Sequence, residues 1–399
     1  MLAEEMLDAA EQLPASQPEV GRIHKYIALA YAAKIKLYQA YQQDETTHAV
    51  TSINKELLRE VVSLCDQVTA SNRYGLLDDF QGLDLVANEN GKESVFAIQY
   101  SMNDGTESAG RINWSNLLNS PGGGSPYGGD GFFLPSQDLI NAYQTDANGL
   151  PDFNYQSKSD YSWAVLNNGV YTLQNTTPNV DPRLDFVVGR PTITWKTYPD
   201  KPCEGWVRDK ETYGYNCAKR FWVSPESSDM FNGWPWGASQ LNWQIIRYAD
   251  ILLWKAEALI ELNEGDGLET ARDLINQIRN RARNSAYVKD FNDHSKYAAN
   301  YLVNPYPADV WNQDYARQAL RWETRLEKAL EGERFFDLVR WGIVETTMNK
   351  YITAESDNRI YYANAHFTGG KDEYYPVPNN QYGFSGGKYV QNPGYAPFN

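Results

Sequence analysis

The sequence predicts a mostly α protein, with helical hairpins as a scaffold and long irregular loops with minor β packed on one side as a single domain. Three observations predict it. Apolar residues recur at intervals of three and four in paired segments toward both ends of the chain, the pattern of amphipathic helices. Between those pairs lie long stretches of Gly, Asn, Pro, Tyr and Trp without periodicity. The 399 residues suffice for a sizeable core beneath both.

Met1 to Leu13 reads as a short amphipathic helix ended by Pro14. Arg22 to Tyr41 is a longer one, carrying Ile27, Tyr31, Ile35, Tyr38 and Tyr41 or their neighbours on one face. Asn54 to Ala70 is its partner, with Leu57, Val61, Leu64, Cys65 and Val68 in register. Helix pairs at this spacing are tetratricopeptide-like, although the consensus residues of that repeat are not legible. Periodicity fades after Tyr74, apart from a short strand over Ser94 to Tyr100, and Ser120 to Gly131 is loop by composition. Those glycines are followed by no Gly-Lys-Ser/Thr, so they do not read as a phosphate cradle. Ser136 is a fitting N-cap for one short helix, and Leu150 to Asn242 is again irregular.

The chain is organised around Trp243 to Gly265, which reads as one helix with Ile245, Tyr248, Leu252, Ala256, Leu259 and Ile260 in a single apolar stripe. Gly265 and Gly267 supply its stop. A second helix follows with Ala271, Leu274, Ile275, Ile278 and Ala282 facing the first, which makes an antiparallel hairpin. Helix resumes at Tyr315, breaks at Gly332, and ends with RFFDLVRWG. The tail from Asn358 to Asn399 reads as extended chain lying over the helical body.

A formal net charge of -15 without a basic run excludes nucleic acid as a partner, because phosphates must be neutralised by clustered Lys and Arg. The four histidines, His24, His48, His294 and His366, stand far apart without metal-ligand spacing, and no cofactor is implied. Arg321, Glu323, Arg325, Glu327, Glu331, Arg334, Asp337 and Arg340 form the densest charge pattern. Their spacing suits ion pairs within and between helices. A glycosidase pair must instead face each other across a cleft, which neighbours on one helix do not do.

The hairpin's wording, RYADILLWKAEALIEL then ARDLINQIRNRAR, is followed by RWETRLEKALEGERFFDLVRWG and finally QNPGY. In that order these motifs resemble the C-terminal signature of the SusD/RagB family of nutrient-binding outer-membrane lipoproteins. FLPSQDLINAY from Phe133, DPRLDF from Asp181 and YYPVPNNQ from Tyr374 extend the resemblance over nearly the whole chain. It implies a single SusD-like domain. Residues 1–75 would be N-terminal helix pairs, 76–242 the loop-rich ligand side, 243–345 the signature helices and 346–399 an extended tail.

The resemblance also implies a non-catalytic surface protein that captures oligosaccharide and passes it to a SusC-like TonB-dependent transporter in the outer membrane. Members of the family begin with a lipoprotein signal, whereas MLAEEMLDAAEQL does not read as one, so the expectation is a lipid anchor outside this chain. Peptide capture within the family, glycoside hydrolysis and a pure interaction scaffold are the alternatives.

Tyr and Trp are abundant, at 28 and 12 residues, and rings that tolerate half-wet positions suit a contact surface. Trp206, Arg208, Asp209, Tyr213 and Tyr215 sit in one irregular stretch, and Asn232, Trp234 and Trp236 in FNGWPWGAS. Flat rings beside Asn, Asp and Arg complement the apolar faces and hydroxyl edges of a neutral sugar. These eight are the candidate ligand residues, with Trp114 and Trp311 in second place. The same tryptophans also suit core plugs beneath loops. Cys203 and Cys217 bracket the first group; an exported protein would meet oxidising conditions, where a bridge between them would constrain the loop by roughly 3 kcal/mol. Two separate thiols are the other reading, and Cys65 is a buried helix-face thiol.

Overall fold

The computed structural model describes the chain except for residues 107–109, 115–117, 120, 123, 163, 168–169, 174–177, 199–204, 235 and 399. Three helices lead: α1 (Leu2–Gln12), α2 (Lys25–Ala40) and α3 (Lys55–Ala70). The hairpin β1 (Tyr41–Gln43) and β2 (Val50–Ile53) links α2 to α3, and the Asn54 side chain caps α3 by accepting from the amides of Glu56 and Leu57. Helix α2 lies between α1 and α3, so its deepest positions are Ala30, Ala32, Ala33, Leu37 and Ala40. Of the expected stripe, Ile27 and Tyr41 are buried, while Tyr31, Ile35 and Tyr38 are only half-buried and their neighbours lie deeper. Small side chains let helices approach closely on two sides at once. Cys65 faces this core, where burial pushes its thiol up to about 12.

The middle of the chain is short pieces. Strand β3 (Ser94–Ile98) is followed by α4 (Gln137–Ala142), whose first turn is capped by the Ser136 hydroxyl accepting from the Leu139 amide at 3.1 Å. Then come β4 (Gln144–Thr145), β5 (Ala164–Asn167), β6 (Val170–Leu173), β7 (Asn179–Val180), α5 (Arg183–Val187), β8 (Val188–Gly189), α6 (Lys210–Tyr213) and β9 (Cys217–Ala218). Pairs β4/β7, β5/β6 and β8/β9 are separate two-stranded ribbons.

Strand β10 (Trp243–Arg247) pairs antiparallel with β3, so the central helix is shorter than its periodicity suggests. Ile245 belongs to the strand, and α7 runs over Tyr248–Leu262. The Arg247 amide donates to the Asp250 carboxylate at 2.7 Å, which caps the helix there. Asn263 at φ 51° and Gly265 at φ 55° turn the chain into α8 (Gly267–Asn284), completing the expected hairpin. Helices α9 (Gln313–Glu327), α10 (Arg334–Arg340) and α11 (Val344–Glu355) follow, then α12 (Asn379–Phe384). Helix α11 corrects the expected tail boundary at 346: only the chain beyond it is mostly irregular, and α12 interrupts even that. Successive packing of α1, α2, α3, α7, α8 and α9 builds the scaffold, in the expected mostly α class.

Helix α7 is enclosed all round rather than along one stripe, and three carboxylates are enclosed with it. Each meets a cation from a later helix or turn. Asp250 pairs with Lys328, Glu257 with Arg340, and Glu261 with Arg317 at 2.7 Å. Helix α9 continues the pattern with Glu323 and Glu327, neither of them exposed. Glu327 contacts Arg183 at 3.3 Å, Arg247 at 3.0 Å and Arg281. Arg183 and Arg279 flank Glu323 at 2.6 and 3.0 Å.

Among the described residues, all of the charge pattern read from the sequence except Arg321 and Arg334 forms the expected structural ion pairs, but mostly at long range: only Asp337–Arg340 joins two of its members. Burial alone would raise the Glu327 carboxyl. The charges of Arg281, Arg247 and Arg183 outweigh it and hold the group at about 2.

Removing the Glu327 charge leaves three guanidinium groups buried together. Glu327→Ala should lose on the order of 3–5 kcal/mol in urea unfolding at neutral pH. The native carboxyl lies below its ordinary 4.5, so its contribution is complete above that pH and fades as pH falls toward about 2, where the gap between wild type and variant should narrow.

Glu355 behaves in the opposite sense. Burial raises it to about 7, with Asp138 repelling its charge despite the Asp138 amide donated to it. Native protein therefore binds the extra proton between 4.5 and about 7, and stability falls as pH rises through that window. Glu355→Gln should match wild type near the lower limit and unfold at a higher temperature than wild type at mildly alkaline pH.

Candidate functional site

Under the loops lies an aromatic cluster of Tyr127, Trp195, Trp206 and Trp222, packed with Cys217. Trp195 and Trp206 meet edge to face at 5.0 Å, and Tyr127 stands 5.7 Å from Trp222. Two of its polar groups are bonded in series: the Trp195 indole donates to the Tyr127 hydroxyl at 2.9 Å, which donates to the Val223 carbonyl at 2.6 Å. Trp206 is 5% exposed. It corrects the surface reading, because a ring packed among three others has no free face for a ligand.

Trp234 and Trp236 are different, at 65% and 51% exposed. They sit at the tip of a hairpin whose stem is closed by Met230 pairing with Ser239 and by the Phe231 amide donating to the Ala238 carbonyl at 2.8 Å. Asn113 also pairs with Ser239, which brings exposed Trp114 beside that stem. Trp236 rests on Gly128, where a Cβ would come within 3.3 Å of the Trp236 Cβ and where φ is 62°. The glycine-rich loop thus serves as the seat of an aromatic ring.

Arg208 reaches the other flank of that loop, paired with Asp130 at 2.7 Å and donating to the Gly129 carbonyl at 3.2 Å. Asn232 is exposed on the hairpin. Arg208, Asn232, Trp234 and Trp236 therefore share one face around residues 121–131. Phe132, 71% exposed on the same loop, belongs with them and was missed; its only sequence signal was an apolar pair directly after a run of glycines.

The remaining predicted residues lie apart. Asp209 caps α6 by accepting from the Thr212 amide at 3.1 Å, and the Lys210 ammonium stands 5.9 Å over the Tyr215 ring. Tyr213 meets Tyr361 in a tilted ring contact at 6.0 Å, in a second exposed patch. Trp311 donates its indole N–H to the Leu268 carbonyl at 2.7 Å and packs on the main core. Cys203, half of the expected bridge, lies outside the described residues; Cys217 is buried with its Sγ 3.8 Å from the Gly189 carbonyl. Among the described residues no group of three or more His, Cys, Asp or Glu could hold a metal ion, and no helix is long and apolar enough to cross a membrane.

The fold and this face define a helical-repeat scaffold that presents a loop-built aromatic surface. The chain belongs to the SusD family, whose profile matches residues 92–395. Solved structures of the same fold include a SusD superfamily protein from Bacteroides vulgatus ATCC 8482, 23% identical, covering 95% of this chain and 64% of that one at a TM-score of 0.60. A SusD homolog from Bacteroides thetaiotaomicron VPI-5482 is 18% identical, with 98% and 69% covered and a TM-score of 0.65. Surface glycan-binding protein A from Bacteroides fluxus is 19% identical, with 98% and 68% covered and a TM-score of 0.58. At these identities the likeness establishes the fold. The chain spans 64% of the first of these proteins and 60% of a SusD-like protein from Bacteroides fragilis NCTC 9343. No curated protein matches the chain.

Burial separates the tryptophans by experiment. Trp206→Ala should lower stability by about 3–5 kcal/mol, the cost of emptying a core site, whereas Trp234→Ala and Trp236→Ala should stay within about 0.5 kcal/mol of wild type in thermal unfolding.

Proposed function

We propose that this protein is a non-catalytic, cell-surface glycan-binding member of its family. It captures oligosaccharides on the Trp234–Trp236 face and delivers them to a SusC-like TonB-dependent transporter, while a lipid anchor outside this chain holds it at the outer membrane. The observation that carries the reading is the pair of indoles left more than half exposed on a hairpin tip, with Asn232 and the Arg208–Asp130 pair around the same loop. Large apolar rings are kept in water at a cost, and a sugar's C–H face removes that cost while its hydroxyls meet the polar neighbours. By analogy with bases on aromatics, each stacked ring contributes on the order of 1–3 kcal/mol. Two rings give the modest affinity and fast release that handing a ligand on requires. A glycan-binding protein sharing the fold supports the same reading.

Three buried carboxylates of the helical body are not placed for hydrolysis. Glu323 and Glu327 are locked between arginines, and Glu355, held at about 7, is buried against the backbone of α4. A glycosidase acid and base must both reach the substrate.

Calorimetry or affinity electrophoresis against plant, fungal and host polysaccharides, with a peptide mixture alongside, tests the proposal. One glycan class should bind, and Trp234→Ala or Trp236→Ala should weaken it about tenfold or more with the fold intact. Peptide binding without glycan binding would move the substrate class, and glycan turnover would end the non-catalytic reading.

A further inference from the structure

Away from the loop face, a groove of about 660 Å³ runs between α4, α9, α10 and α11. Its floor is apolar, formed by Leu139, Phe153, Trp322, Phe335, Ile343 and Met348. Two arginines line it without a carboxylate partner among the described residues. Arg321 stands 5.3 Å and Arg334 5.9 Å from the centre of the Trp341 ring, and the Arg334 guanidinium reaches only the Arg321 carbonyl, at 3.5 Å. Every nearby acid is already engaged: Asp138 by Arg325, Asp337 by Arg340, and Asp314 by Arg317. Burial and the neighbouring Arg325 charge pull Arg334 down to about 9, outweighing the opposing pull of Asp337 and Asp138. In a chain of net charge -15 whose buried arginines meet carboxylates among the described residues, this half-buried pair stands apart.

We propose that this groove seats an amphipathic helix bearing carboxylates beside its apolar stripe, supplied by polypeptide beyond these 399 residues. The apolar floor takes anchors at helical spacing, and the carboxylates meet Arg321 and Arg334 in charge-assisted hydrogen bonds. An extended peptide is disfavoured because no strand contributes to the lining, so there is no edge to add to. A neutral sugar would leave the two arginine charges unmatched and much of the apolar floor unfilled. Matched proteins of the fold do carry polypeptide for which this chain has no counterpart, since it spans 64% and 60% of two of them.

The probe is a fluorescein-labelled synthetic helix of about four turns, with Leu anchors at helical spacing and flanking Glu residues, titrated with the 399-residue protein by anisotropy. Saturable binding is expected, weakened about tenfold when the Glu residues become Gln and about tenfold by Arg321→Gln or Arg334→Gln. Circular dichroism confirms that each variant is folded, and hydrogen exchange should show α9, α10 and α11 protected by the peptide. Absence of binding, binding indifferent to either charge change, or saturation by glucuronate oligosaccharides in place of the peptide would overturn the proposal. None of these results depends on the outcome at the Trp234 face.

Discussion

Three guanidinium groups close on the Glu327 carboxylate, and the layout of the molecule follows from where those arginines come from. Arg183 belongs to α5, Arg247 ends β10, and Arg281 lies in α8. Each of them is shared further. Arg247 also meets Glu93 beside β3 at 2.9 Å and Glu331 after α9 at 2.7 Å, while Arg183 holds Asp181 at 2.7 Å. A charge withdrawn from water has to find its opposite, so segments remote in sequence are drawn to one point. Such a network adds less net stability than the same volume of hydrocarbon, but breaking any one member strands the others.

This arrangement lets a helical scaffold hold irregular chain in place without a large sheet. Between α3 and α7 the described strands form only two-stranded ribbons, too small to stand alone. Instead, Asp84 accepts from Lys196 at 3.0 Å and Arg220 at 3.1 Å, Asp185 from Arg190 at 2.7 Å, and Asp138 from Arg325 at 2.6 Å. The buried Tyr127–Trp195–Trp206–Trp222 cluster adds an apolar anchor beneath the same loops. With positions fixed from below, the loop tips are free to present rings outward.

The helices were legible in the sequence because amphipathic periodicity reports a local geometry. The apolar positions predicted for α3 and α8 are buried, apart from half-buried Leu57. Periodicity failed where a tertiary partner overrode it. Trp243–Arg247 carries helical spacing yet pairs with β3, and α2 turns its alanines rather than its tyrosines to the deepest core because helices flank it on both sides. The candidate site was legible as a composition, in the clustering of Trp, Tyr, Asn and Arg, but not as a surface. Trp206 and Trp234 look alike in sequence and lie on opposite sides of the protein–water boundary.

By itself the sequence determined the class of fold, the central hairpin, and the structural nature of most charges between Arg321 and Arg340. Those depend on residue type and on spacing along one chain segment. Only the tertiary structure decided which carboxylate each arginine meets, which tryptophans are buried, and that Gly128 seats Trp236. These are relations between segments tens of residues apart, and no local pattern encodes the distance between two side chains that the fold alone brings together.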